Sequence, residues 1–332
     1  MATPIFKASV PHSNPLLHSL LPLLWTGTVN SVPKKNNLLL LPLRASSELN
    51  SLRSRSLWDL NSGYVLMKRI NGICRSEVSL CVGSHLIPHP NKVEKGGEDA
   101  FFTSSYSGGV LAIADGVSGW AEEDVDPALF SRELIANASG FVPDEEVNYD
   151  PQVLIRKAHA ATSSIGSATV IVAMLERNGT LKIANVGDCG LKLIREGQII
   201  FSTTPQEHYF DCPYQLSSET VGQTYLDAMV SSLEAIEGDI IVMGSDGLFD
   251  NVFDHEIVST IGQHRNVSDA AKVLANLARV HSLDSSYDSP YALEARSKGI
   301  EPPWWKKIIG MQLTGGKLDD ITVIVAQIVS SL

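Results

Sequence analysis

Hydrophobic and polar positions divide the chain near residue 60. Beyond it, short apolar runs are punctuated by Gly, Pro and Asn, the pattern of strands bounded by turns. Tyr64 to Ile70, Val78 to Val82, Ala100 to Ser104 and Val110 to Ala114 predict a β-rich beginning. Helical spacing follows around Pro127 to Ser139, with Pro127 suited to a first turn, and around Gln152 to Ser164. The stretches "SATVIVAMLE", "TLKIANVGD", "GLKLIRE" and "QIIFST" return to strand character. The hairpin signals Asn178-Gly179 and Glu196-Gly197 predict that these four form an antiparallel meander. "DIIVMGSDG" reads as another buried strand, helices are predicted near His255 to Gln263 and Ser268 to Ser282, and "DDITVIVAQI" closes the series. Strands grouped before and after helix pairs predict helices layered on antiparallel sheets, in one domain over residues 60–332.

The first 45 residues differ. They carry Lys7, Lys34, Lys35 and Arg44, no acidic residue, and many Ser, Thr, Pro, Asn and Leu, the composition of a disordered organelle transit peptide over residues 1–46. Pro22 and Pro42 break both leucine-rich runs well short of the roughly 20 apolar residues a membrane span requires, so no transmembrane segment is expected. A chain of 332 residues with 44% hydrophobic content has material for a sizeable core. The net charge of -11 lacks the clustered basic surface that nucleic acid demands, and no nucleic-acid partner is expected. Cys74, Cys81, Cys189 and Cys212 have neither zinc-site spacing nor the density of a disulfide scaffold, which suits a reducing compartment.

One local arrangement recurs: an apolar strand delivering an aspartate at its end, in "LAIADG", "IANVGDCG" and "IIVMGSDG". Two acidic pairs, Glu98-Asp99 and Asp319-Asp320, stand where strands begin. A single Asp-Gly is usually a turn former. Five acidic sites at strand ends converge on one sheet edge, where their repulsion is costly unless cations lie between them. Hard oxygen donors of this kind favour Mg²⁺ or Mn²⁺ over zinc.

The motifs "GGEDA", "ADGVSGW", "GSATV", "NVGDCG", "GSDGLFDN" and "GGKLDDITV", in this order, resemble those of the metal-dependent type 2C Ser/Thr protein phosphatases. "DPALFSREL", "EHYFDCPYQL" and "YDSPYALEA" are similar to the branch that contains plant photosystem II core phosphatases and an animal mitochondrial relative. The resemblance implies an α+β fold, a four-layer αββα sandwich of two antiparallel sheets flanked by helices, and hydrolysis of protein phosphoserine and phosphothreonine. It implies two Mg²⁺ or Mn²⁺ ions and a weaker third. Asp115 would bridge the first two, with the Gly116 carbonyl on one of them. Glu98 and Asp99 would hold the first metal directly or through water, Asp246 and Asp319 the second, and Asp188 with Asp246 the third. Asp115 and Asp246 would be the catalytic pair in the sense of activating the metal-held water, and no covalent phosphoenzyme is then required.

Two departures from the family pattern stand out. Where an arginine often grips substrate phosphate, this chain has Glu94, leaving Lys92, Lys95 or His89 as substitutes. Where a histidine often follows Asp-Gly, it has Val117, and His208 is a proton-donor candidate by residue type alone. In "KLDDITV" the register favours Asp319 as ligand with Asp320 turned away, so asparagine at 320 should be tolerated. A monomer acting on phosphoproteins is expected, and the branch implies photosystem II core subunits at the stromal thylakoid surface of the chloroplast as substrates. A mitochondrial location, small phosphometabolites as substrates and an inactive scaffold are the alternatives.

Overall fold

The computed structural model describes residues 76–219, 222–300 and 313–331. The transit segment, the expected strand at Tyr64 to Ile70 and Cys74 lie outside them.

Strands β1 (Val78–Ile87), β2 (Ala100–Ser104) and β3 (Gly109–Gly116) open the described chain. Helices α1 (Pro127–Phe141) and α2 (Pro151–Ala161) follow. Each begins with proline behind an aspartate cap: Asp126 accepts from the Ala128 N–H, and Asp150 from those of Gln152 and Val153. Such caps satisfy donors that a helix start leaves free. Then come β4 (Ser167–Leu175), β5 (Thr180–Val186), β6 (Gly190–Arg195) and β7 (Gln198–Ser202). The short β8 (Glu207–Tyr209), β9 (Cys212–Pro213) and β10 (Leu216–Ser217) precede β11 (Met229–Glu234) and β12 (Ile240–Gly244). The single turn α3 (Asp246–Phe249), α4 (Asp254–Gln263), α5 (Val267–Leu283), α6 (Pro290–Ser297) and β13 (Ile321–Ser330) complete the order.

The strands form two antiparallel sheets, β1-β13-β12-β6-β7 and β11-β5-β4-β3-β2, with β10 beside β4 and a separate β8–β9 pair. Leu111, Ile113, Ile171, Leu191, Met243 and Ile324 fill the space between the sheets. The alternate residues Ala112, Ala114, Val170 and Val172 pack outward against Phe130, Leu134, Leu154 and Ile155 of α1 and α2. On the other sheet Val242, Val323 and Val325 pack outward against Ile257, Leu274 and Ala278 of α4 and α5. The result is the expected αββα sandwich. Because helices cover the outer faces and the sheets cover each other, both faces of β3, β4 and β13 are apolar, and their sequences read as unbroken hydrophobic runs.

The four-strand meander does not form. β4 and β5 pair in one sheet, β6 and β7 in the other, and the chain crosses between sheets at Gly187, Asp188 and Cys189. Gly187 has φ +104°, and a Cβ there would lie 2.5 Å from the Tyr214 carbonyl oxygen, so both the turn and the packing demand glycine. Hairpin signals mark each turn correctly but carry no information about which sheet receives the next pair. Among the described residues no helix is long and apolar enough to cross a membrane.

Candidate active site

Antiparallel register brings the acidic strand ends together. Ala100 lies opposite Ala114, which sets Asp99 beside the end of β3, and Asp115 itself faces Thr169. In the other sheet Gly244 lies opposite both Gly190 and Val323, which sets Asp246 beside the crossover that carries Asp188 and beside the start of β13. The charge of Asp246 acts directly on Asp115.

The electrostatics record this convergence. Burial pushes Asp115 well above the usual carboxylate range, and the charges of Asp99, Asp246, Asp319 and Asp188 push it further. Asp188 is raised by burial and by Asp246, and Asp319 by burial, Asp246 and Asp99. Burial and the charge of Asp320 push Asp99 up to about 7, against hydrogen bonds from Thr322 and Ser245 that favour its ionised form. Asp246 alone falls below the usual range: burial would raise it, but the Lys317 ammonium outweighs that cost.

Several carboxylates are held by one oxygen only. Asp99 Oδ2 accepts from Ser245 Oγ at 2.8 Å and Thr322 Oγ1 at 2.6 Å, while its buried Oδ1 has no partner. Asp246 Oδ2 accepts from Lys317 Nζ at 2.6 Å, while its buried Oδ1 likewise has none. A buried carboxylate oxygen without a donor is costly, and an oxygen-binding cation is the partner both positions fit. Among the described residues no group of three or more His, Cys, Asp or Glu side chains forms a ready-made metal cage, and the three carboxylates of Asp211, Asp246 and Asp250 share the Lys317 ammonium.

The remaining candidates separate. Glu98 is turned aside: its Oε2 accepts from Lys92 Nζ at 2.6 Å and Ser118 Oγ at 2.5 Å. Gly116 ends β3 opposite Ala168, and its N–H donates to the Glu98 carbonyl. Asp319 and Asp320 both precede β13, so the turn before the strand, not strand alternation, divides them. Asp320 is buried and accepts from the main-chain N–H groups of His89 at 2.6 Å and Glu98 at 2.8 Å, anchoring the loop that carries Glu98 and Asp99. Of the substitutes for the family arginine, Lys95 is exposed with Asp126 at 4.0 Å, and the His89 ring accepts from the Asn91 N–H as a helix cap. Lys92 is the one beside the cluster, and the hydrogen bond and charge of Glu98 hold its ammonium above its usual range despite burial. His208 bonds Gln223 and tilts against the Tyr214 ring.

Several residues inside the quoted motifs had no assignment from sequence. Lys317 and Asp250 lie within the cluster, Asn251 clamps Lys317 through its backbone, and Ser245 and Thr322 hold Asp99. "CGLKLIR" also contains the Cys-x5-Arg spacing that a cysteine phosphatase uses. Here it is strand: Cys189 is buried against Thr169 with its thiol pushed far up by burial, and Arg195 is bound to Asp239 at 2.8 Å. No thiolate nucleophile is available from it.

Solved structures share this fold. The catalytic domain of the serine/threonine protein phosphatase PstP, solved with two manganese ions, shares the fold with TM-score 0.52 at 20% identity, over 76% of this chain and 99% of that one. The photosystem II phosphatase PBCP superposes with TM-score 0.73 at 67% identity, over 75% of this chain and 98% of that one. No protein-family model matches the chain. The probable protein phosphatase 2C 26 of Arabidopsis thaliana is 70% identical over 257 residues, 77% of this chain and 86% of its own length. The chain therefore belongs to the protein phosphatase 2C family and is a protein-serine/threonine phosphatase.

Proposed function

We propose that this phosphatase works with two Mg²⁺ or Mn²⁺ ions at the Asp115 cluster, and that its substrates are phosphorylated core subunits of photosystem II in the chloroplast. The metal requirement is carried by one observation: Asp99 and Asp246 each bury an oxygen without a donor beside Asp115. Asp99, Asp115, Asp246 and Asp319 would hold the ions, with Glu98 acting at their margin and Asp188 near Asp246. Bound there, the ions would supply a nucleophile from water near neutral pH and offset charge on the phosphoryl oxygens.

The chain's own residues do the positioning. Ser245 and Thr322 hold Asp99 by one oxygen and leave the other, buried, free of any donor. Asp320 ties down the loop before β2, which keeps Glu98 and Asp99 in place. Lys92 Nζ and Ser118 Oγ meet on Glu98 Oε2, 3.0 Å from each other. They are donors placed to take a phosphoryl oxygen in place of the family arginine.

The substrate assignment is supported by the 67% identity to a photosystem II phosphatase and by the basic, acid-free first 45 residues. Purified chain should hydrolyse a phosphothreonine peptide with Mn²⁺ and stop when the metal is chelated. Folded protein inactive with Mn²⁺ would leave only the scaffold reading, and preferential turnover of sugar phosphates would point to metabolites. Residues 1–60 fused to a fluorescent protein should enter chloroplasts, and fluorescence confined to mitochondria would overturn the photosystem II assignment.

A further inference from the structure

Lys317 sits among acids that the phosphatase reading above treats as metal ligands or their neighbours. Its Nζ lies 2.6 Å from Asp246 Oδ2, 3.0 Å from Asp250 Oδ2 and 3.0 Å from Asp211 Oδ1, and over the face of the Tyr291 ring. Tyr291 in turn donates its hydroxyl to Asp211 Oδ2 at 3.2 Å. The ammonium thus has three carboxylates and a π-face around it, a coordination shell made of protein.

The position is built. The Lys317 N–H donates to Asn251 Oδ1 at 2.9 Å, and Asn251 Nδ2 donates to the Lys317 carbonyl at 2.9 Å and to the Gly247 carbonyl at 3.0 Å. Asn251 is fully buried and follows directly on Asp250. One amide therefore fixes the lysine backbone to the turn that carries Asp246 and Asp250. Asp246 is divided between two cations by this arrangement: Oδ2 belongs to the lysine, and only the unpartnered Oδ1 is left for a metal.

We propose that Lys317 is an internal cation that occupies a position a further divalent ion would otherwise take, between Asp246, Asp250 and Asp211, and so sets how many ions the centre binds. The inference rests on the metal-dependent reading, and Mn²⁺ binding separates the two. Equilibrium dialysis or calorimetry with Mn²⁺ alone on the full chain counts ions without reference to activity. Lys317→Met should bind one ion more than the wild type, Lys317→Arg the same number as the wild type, and the added ion should vanish when Asp250→Asn is combined with Lys317→Met. An unchanged count in Lys317→Met overturns the inference while leaving the metal site intact. A wild-type chain that binds no Mn²⁺ overturns the metal reading and this inference with it. If Lys317→Met does not fold, Asp250→Asn alone is the second arm. Its ion count should equal the wild type's, because Asp250 serves the lysine, and loss of an ion there refutes the inference.

Discussion

Replacing Asp319 and Asp320 singly by asparagine separates a residue that faces the cluster from one that holds its loop. Asp320 is 1% exposed and accepts two main-chain N–H groups, from His89 at 2.6 Å and Glu98 at 2.8 Å, with Lys92 Nζ at 3.6 Å. Asparagine offers one oxygen to those two donors and turns an amide N–H toward the other. Hydrogen bonds to a charged group contribute about 1.5–3 kcal/mol each, and an unpaired buried donor costs about 1–3 kcal/mol. Asp320→Asn should therefore lose about 2–4 kcal/mol of stability. At about 2–4 °C per kcal/mol for a domain of this size, the melting temperature should fall by about 5–15 °C. This revises the expectation that asparagine is tolerated at 320. Asp319 is half-buried and repelled by Asp246 and Asp99, so neutralising it relieves repulsion, and Asp319→Asn should melt no lower than the wild type without metal. Its Mn²⁺-dependent kcat should fall about 100-fold or more, a barrier increase of about 2.7 kcal/mol. Melting in chelator and kcat against Mn²⁺ concentration, on both variants, make the check. An Asp320→Asn protein as stable as the wild type, or an Asp319→Asn protein less stable than Asp320→Asn, refutes these roles.

Asp246→Asn should keep the fold and weaken Mn²⁺ binding by about tenfold or more, read by calorimetry, because it removes a charge from a site that balances dications. Lys92→Met should raise the KM for phosphopeptide with a smaller change in kcat, and Lys92→Arg should restore most of it, as expected of a cation that binds phosphate. Glu133 accepts from the N–H and hydroxyl groups of Ser163 and Ser164, which holds its carboxyl down to about 2 from an ordinary 4.5. A depressed folded pKa stabilises above the unfolded value and is lost as pH falls. Glu133→Gln should therefore be less stable than the wild type at neutral pH, by about 1 kcal/mol after solvent screening. The gap should close between about pH 4.5 and 2 in a urea-melt series.

What the sequence determined by itself is what neighbouring residues encode. Apolar runs between turn formers marked β2, β3, β4 and β13, Pro127 marked the start of α1, and Asp-Gly at strand ends marked Asp115 and Asp246. Those signals are local, because strand and helix periodicity and capping act over a few residues. Sheet membership is not local, and the crossing at Gly187 that turned an expected meander into two hairpins in opposite sheets had no signature beyond the glycine itself. The short β8 to β11 and the helix α6 were too brief or too weakly periodic to stand out. At the site, the acids were visible as residue types, but their partners were not. Asn251 and Lys317 are 66 positions apart, as are the loops they join, and only folding shows that one amide clamps the other's backbone. Asp319 and Asp320 are chemically identical neighbours, and their separate roles arise because the tertiary structure sets two main-chain N–H groups beside Asp320 and the charges of Asp246 and Asp99 beside Asp319.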